Sequence, residues 1–309
     1  MSTYINYHSL SVGYNNTGQA FFDLISQYDP YIHSYFFSVT KAMDGSPYNT
    51  NEVLETLKKC NTYGIPANLL LNDNESQDNW ESIISSIKNY VNLTDVSIIS
   101  IDEIEEIKYK FPDLNIHISV RYFDWNTDMS VDDLVLDQIH KCKDYIDAVN
   151  ISGYRSFNDH MIMDIIHSYG IKVKMIVNEG CIINRHENYN DLNGYKHIRC
   201  SIGKCYRICD KIVNDYPWMV LSRINLYKEM LKYYNIDILK LATRPLSLDK
   251  IEALLDYWVS DDNTKMIFDS IPVYNHYDDF LKYCKIKSRC RGFCYDCMDC
   301  IFFYNKLTK

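Results

Sequence analysis

A closed eight-stranded parallel β/α barrel, with a cysteine-bearing insertion and a cysteine-rich C-terminal tail, is the fold this sequence predicts. Three observations predict it. Short β-type runs alternate with amphipathic stretches as far as about residue 245, eight such runs can be counted, and no repeat or low-complexity linker marks a second domain. The length of 309 residues is compatible, because α/β barrels commonly reach about 250 residues as one unit. The expected division is a barrel over residues 1–258 with an insertion at 182–222, and a cysteine-rich extension over 259–309 packed on the barrel.

The strand runs are Ile5 to Val12, His33 to Val39, Ala67 to Leu71, Val96 to Ile99, Ile116 to Val120, Ala148 to Ile151, Val173 to Val177 and Ile238 to Leu241. Each is short, and most are rich in β-branched or aromatic residues. Helices are predicted over Asn51 to Tyr63, Asn79 to Val91, Ile101 to Lys110, Val131 to Cys142, Asp159 to Tyr169, Arg223 to Tyr234 and Ser247 to Trp258. In the first of these, Val53, Leu54, Leu57 and Cys60 recur at spacings that share one helix face. The joints carry turn chemistry: Gly64-Ile65-Pro66, Phe111-Pro112-Asp113 and Gly170-Ile171 each precede a β-branched or apolar run. About sixty residues separate the seventh and eighth strand runs, far more than a βα unit needs, which marks an insertion.

A net charge of −9 argues against an extended nucleic-acid-binding surface, which needs a strongly basic face. The 27 tyrosines and 12 phenylalanines are spread over the whole chain, as core and surface packing would spread them, and form no stacking platform. No uninterrupted apolar stretch is long enough to span a membrane, and Met1 to Tyr14 lacks the basic start and apolar middle of a secretory signal. The expected compartment is the cytoplasm. There, eleven cysteines read as thiols or metal ligands rather than as a disulfide framework.

Eight of them cluster. Cys290, Cys294, Cys297 and Cys300 place four thiolates within eleven residues, a spacing with which one loop presents several soft ligands to a single centre. Cys181, Cys200, Cys205 and Cys209 are spread more loosely over the insertion and its entrance. Ligand type alone does not separate tetrahedral zinc from an iron–sulfur cluster, and eight thiolates allow one centre or two. Reduced, unligated thiols are the plainer alternative for both groups. His186 and His197 flank the cysteines and could complete a metal site, though loop histidines are usually only solvated.

Barrel enzymes place their chemistry at the C-terminal ends of the strands. Asn178-Glu179-Gly180-Cys181 closes the seventh strand run, and Glu179 there is a candidate general base or substrate contact. Further strand-end candidates are Asn15, Lys41, Asn72, Arg121, Asn150 and Arg155, a polar set suited to an anionic or amide-bearing ligand or, alternatively, to anchoring loops. The acidic run Asp102-Glu103-Ile104-Glu105-Glu106 opens a helix, where negative charge is favoured without any metal.

Several segments together resemble peptidase family U thirty-two, the collagenase-like peptidases. They are Asn178-Glu179-Gly180-Cys181, a cysteine-bearing insertion, Pro217-Trp218 and Ile238-Leu239-Lys240-Leu241-Ala242-Thr243-Arg244-Pro245. Asp95 to Ser100 ahead of a helix ending in Lys110-Phe111-Pro112-Asp113-Leu114, and Arg121 on the next strand, fit the same order. The resemblance covers most of residues 4 to 255. It implies a β/α barrel, often with a four-iron, four-sulfur cluster held by four cysteines, in proteins assigned to peptide cleavage, RNA base hydroxylation or oxygen-independent quinone hydroxylation, some of them working beside radical enzymes. By matching, Glu179, Cys181, Lys240 and Arg244 carry over as site candidates. The chain departs where Asn184, Arg185 and His186 stand at positions that relatives often continue with a cysteine, which places ligation by the insertion alone in doubt.

The resulting expectation is an iron–sulfur barrel enzyme, with one or two 4Fe-4S clusters, modifying a peptide, RNA or quinone-like substrate by redox chemistry beside a possible partner radical or redox enzyme. Catalytic candidates are Glu179, Lys240 and Arg244, substrate contacts Asn72, Arg121, Asn150 and Arg155, and metal ligands the eight clustered cysteines. Two alternatives stay open. One is a metal-dependent peptidase or hydrolase in which Glu179 activates water, since no Ser-His-Asp arrangement or H-E-x-x-H stretch is visible. The other is a non-enzymatic accessory protein stabilised by zinc.

Overall fold

A computed structural model describes residues 9–39, 50–72, 74–119, 131–152, 160–178, 227–244, 246–259, 277–288 and 299–307. Eight strands close into an all-parallel barrel in sequence order: β1 (Leu10–Gly13), β2 (Ile32–Phe37), β3 (Ala67–Leu71), β4 (Leu93–Ile98), β5 (Asn115–Ile118), β6 (Ala148–Ser152), β7 (Lys172–Ile176) and β8 (Ile238–Leu241). The ring is sealed where Leu10, Ser11 and Val12 of β1 pair with Leu239, Lys240 and Leu241 of β8. This is the TIM-barrel fold that the alternating pattern predicts. The bounds of β3 and β8 match the predicted runs, whereas β1 begins at Leu10 and residues 5–8 of its predicted run lie outside the described residues.

Side chains alternate across each strand, and the alternation fixes what the barrel contains. Val96 and Ile98, Ile116 and Ile118, Val173 and Met175, and Leu239 and Leu241 point outward and join one continuous core with the helices. Helices α1 (Gln19–Ser26), α2 (Thr50–Cys60), α3 (Asn74–Asp78), α4 (Trp80–Ile87), α5 (Ile104–Lys110), α6 (Val131–Cys142), α7 (His160–Ser168) and α8 (Leu248–Val259) supply the other side of it. In α4, Trp80, Ile84 and Ile87 recur at the spacing that buries one stripe, and Ile251, Leu254, Leu255 and Trp258 do the same in α8. The acidic run resolves as the start of α5, with Glu105 and Glu106 in the first turn and Lys108 and Lys110 in the last, each favourable to the helix dipole.

Two expectations change. The helix predicted over Arg223 to Tyr234 is, in its described part, a 3-10 helix over Lys228–Tyr233; Tyr227 ahead of it is extended, and the i to i+3 bonds place Tyr227 and Met230 on one buried edge. The C-terminal extension, read only for its cysteines, holds α9 (Tyr277–Lys287) and α10 (Asp299–Leu307). Phe280 and Tyr283 of α9 pack edge-on against Tyr227, Tyr283 meets Phe303 of α10, and the Tyr234 hydroxyl donates to the Ser288 carbonyl at 2.9 Å. The insertion at 182–222 lies outside the described residues.

Candidate functional site

The inside of a TIM barrel is usually filled by branched apolar side chains. Here apolar Phe36, Leu70, Ala148, Ile176 and Ile238 share the interior with buried Ser11, Ser34, Asn68, Asp95, Ser97, His117, Asn150, Lys174 and Lys240. Two polar regions result, one toward the strand starts and one at the strand ends.

The first region is built by register. Leu10 pairs with Ile32 and Ser11 with Ser34, so His33 is an extra residue on β2; Ala67 pairs with Leu93 and Asn68 with Asp95, so Thr94 is an extra residue on β4. Such bulges re-aim side chains. His33 would otherwise share the outward face of Tyr35 and Phe37, yet its Nε2 lies 3.2 Å from Asp95 Oδ2. His117 Nε2 lies 3.9 Å from Asp95 Oδ1, and the two imidazoles stack with centroids 6.3 Å apart. Behind them, Asn115 Nδ2 donates to Asp95 Oδ1 at 2.9 Å, Asn68 Nδ2 lies 3.0 Å from His117 Nδ1, and the Ser97 hydroxyl donates to Asn68 Oδ1 at 2.9 Å. Lys174 of β7 is fully buried nearby, and its Nζ makes no hydrogen bond.

Charges here are set by burial and by one another. Burial by itself would raise the Asp95 carboxyl, but His33, His117 and Lys174 outweigh it and hold the group below its ordinary value, as a carboxylate. Burial drives His117 well below its ordinary value, and Lys174 adds to the effect, against the pull of Asp95. Burial lowers Lys174 to about 8, against the pull of Asp95.

The second region is the C-terminal mouth. Lys240 Nζ stands 4.5 Å from the centroid of the Phe36 ring, and the Arg244 guanidinium carbon 5.6 Å from the same centroid. Gly13 makes this possible: a Cβ there would come within 2.8 Å of the Phe36 ring and 2.9 Å of Arg244 Cγ. The Thr243 hydroxyl donates to the Gly13 carbonyl at 2.7 Å and ties the end of β8 to β1. Asn178, one residue before Glu179, clamps the neighbouring strand end by accepting the Ala242 N–H at 2.7 Å.

The sequence-predicted residues divide accordingly. Lys240 and Arg244 are brought together at the mouth. Asn72 is there too, accepting from the Ser119 hydroxyl at 3.0 Å. Asn15 acts as a loop anchor, donating to the Leu246 carbonyl at 3.1 Å. Asn150 sits in the middle of β6, wholly buried, donating to the Ile118 carbonyl at 2.8 Å. Cys300 begins α10, half-buried, with its sulfur 3.5 Å from the Tyr283 hydroxyl. Glu179, Arg121, Arg155, Lys41, His186, His197, Cys181, Cys200, Cys205, Cys209, Cys290, Cys294 and Cys297 lie outside the described residues. Sequence reasoning missed His33, His117 and Lys174, and took Asp95 only as part of a segment match. The available signal was a charged or imidazole side chain inside each of several short runs that must be buried strands.

No family model matches the chain, and no curated protein matches it. Among solved structures the chain is similar to a psychrophilic glycoside hydrolase family 10 endo-beta-1,4-xylanase, at 10% identity over 76% of this chain and 86% of that one, with a TM-score of 0.37. No residue role is taken from that likeness. Among the described residues, no helix is long and apolar enough to cross a membrane.

Proposed function

We propose that the protein is a β/α-barrel enzyme that takes an anionic substrate group at its C-terminal mouth and modifies a peptide, RNA or quinone-like molecule by redox chemistry, through an iron–sulfur centre held by its clustered cysteines. The observation that carries the reading is the convergence of Lys240 and Arg244 on the Phe36 ring at the strand ends. A lysine and an arginine brought together at the strand ends suit a carboxylate or phosphate, and the strand ends are where barrel enzymes work. Cys300, one of the clustered cysteines, is half-buried in the first turn of a helix. Cys284 does not suit a ligand, because it is enclosed and burial pushes its thiol up. The centre would be held by Cys181, Cys200, Cys205 and Cys209, by Cys290, Cys294, Cys297 and Cys300, or by both sets, and would supply electron transfer.

The test is iron and acid-labile sulfide analysis, with an absorption spectrum, on protein purified without oxygen. About four or eight irons per chain with matching sulfide is expected. Zinc without iron would overturn the redox reading and favour the accessory-protein alternative. Peptide cleavage that survives removal of all metal and is lost in Glu179→Gln would overturn it in favour of hydrolysis.

A further inference from the structure

We propose that His33, Asp95 and His117 form a binding site for one divalent transition-metal ion, zinc by ligand type, inside the barrel toward the strand starts and separate from both the cysteine groups and the mouth. Three ligand atoms, one from each residue, lie within 4.8 Å of one another. A tetrahedral ion with bonds near 2.1 Å holds its ligands about 3.4 Å apart; His33 Nε2 stands 3.2 Å from Asp95 Oδ2 and His117 Nε2 3.9 Å from Asp95 Oδ1, so the imidazoles must close by up to about an ångström onto one oxygen. Two imidazoles and one carboxylate, with a fourth position left for water, suit zinc and its neighbours better than magnesium or calcium, which prefer all-oxygen shells.

Geometry beyond distance supports the site. Asp95 Oδ2 and His33 Nε2 face each other at 3.2 Å, yet neither makes a hydrogen bond although both atoms are buried. Two opposed and unsatisfied polar atoms are costly unless something bridges them. The outer shell is equally specific. Asn115 fixes the other carboxylate oxygen, and the Ser97–Asn68 pair backs the far nitrogen of His117, which leaves its Nε2 directed to Asp95. Turning the Asn68 amide over would let its oxygen accept from His117 Nδ1 while its nitrogen donates to Ser97, the arrangement a metal-bound Nε2 requires. His33, with 24% of its side chain exposed, gives the ion a way in. Lys174 opposes the ion, because it offers Asp95 a competing positive charge.

Cobalt(II) binding to the full-length protein tests this, because cobalt reports its ligands: thiolate sites give an intense near-ultraviolet charge-transfer band, and sites of nitrogen and oxygen do not. Wild type is expected to bind one cobalt per chain more than His33→Asn. The difference spectrum should show visible bands without the thiolate band, and zinc should displace that cobalt. Lys174→Met is expected to bind the same equivalent at least tenfold more tightly. Equal stoichiometry in wild type and His33→Asn, or a thiolate band in the difference spectrum, overturns the proposal; unchanged affinity in Lys174→Met overturns the competing role of Lys174. Asp95→Asn, nearly isosteric, serves as the second variant if His33→Asn does not fold.

Discussion

The two polar regions of one barrel interior solve opposite problems. Toward the strand starts, Asp95 is enclosed with His33, His117 and Lys174, and its charge is answered from within by groups that burial itself has tuned. At the mouth, Lys240 and Arg244 share an aromatic ring, and the polar side chains around them hold backbone: Thr243 holds Gly13, Asn178 holds Ala242 and Asn15 holds Leu246. The first region is therefore an electrostatic unit in which the state of Asp95 is set by its neighbours. The second is a rim whose backbone is held in place by polar side chains.

Substitutions can break that contrast. The largest effect is expected from Asp95→Ala, which leaves buried Lys174 without its counter-charge; chemical denaturation should show a loss of about 3–5 kcal/mol. Gly13→Ala comes next. Its Cβ would collide with Phe36 and Arg244, so about 1–3 kcal/mol should be lost, and Phe36→Leu in the same chain should recover part of it. Asn178→Ala removes one clamp and should cost about 1 kcal/mol in the same measurement, with Asn178→Asp costing less because an oxygen still accepts the Ala242 N–H. The smallest effect is expected for Lys240→Met, below about 1 kcal/mol, since the aliphatic stem and its packing are kept. If Lys240→Met destabilised the fold as much as Asp95→Ala, the mouth would be a charge-balanced unit as well and the contrast would fail.

Much of the barrel was legible. Eight apolar runs separated by helical periodicity and turn residues lead to eight parallel strands, because a half-buried or fully buried strand must display its residue type in sequence. Lys240 and Arg244 were legible only through the family resemblance of the segment Ile238 to Pro245. The His33, Asp95 and His117 grouping was not. Its members are 62 and 22 residues apart, and alternation assigns His33 to the wrong face, since Tyr35 and Phe37 point outward. Only the bulge opposite Leu10 turns it inward, and a bulge is a property of the pairing between two strands. Helices α9 and α10 were overshadowed by the cysteines around them, and their amphipathic stripe acquires meaning only against Tyr227 and Tyr234.

By itself the sequence determined the fold class, the strand order along the chain and the grouping of its cysteines, because periodicity and spacing are local properties. Tertiary structure alone decided which polar residues meet. Barrel closure sets β8 beside β1, a one-residue slip on β2 turns His33 into the interior that Asp95 and Ser97 face, and there burial pushes His117 and Lys174 down while the neighbouring basic groups hold Asp95 below its ordinary value.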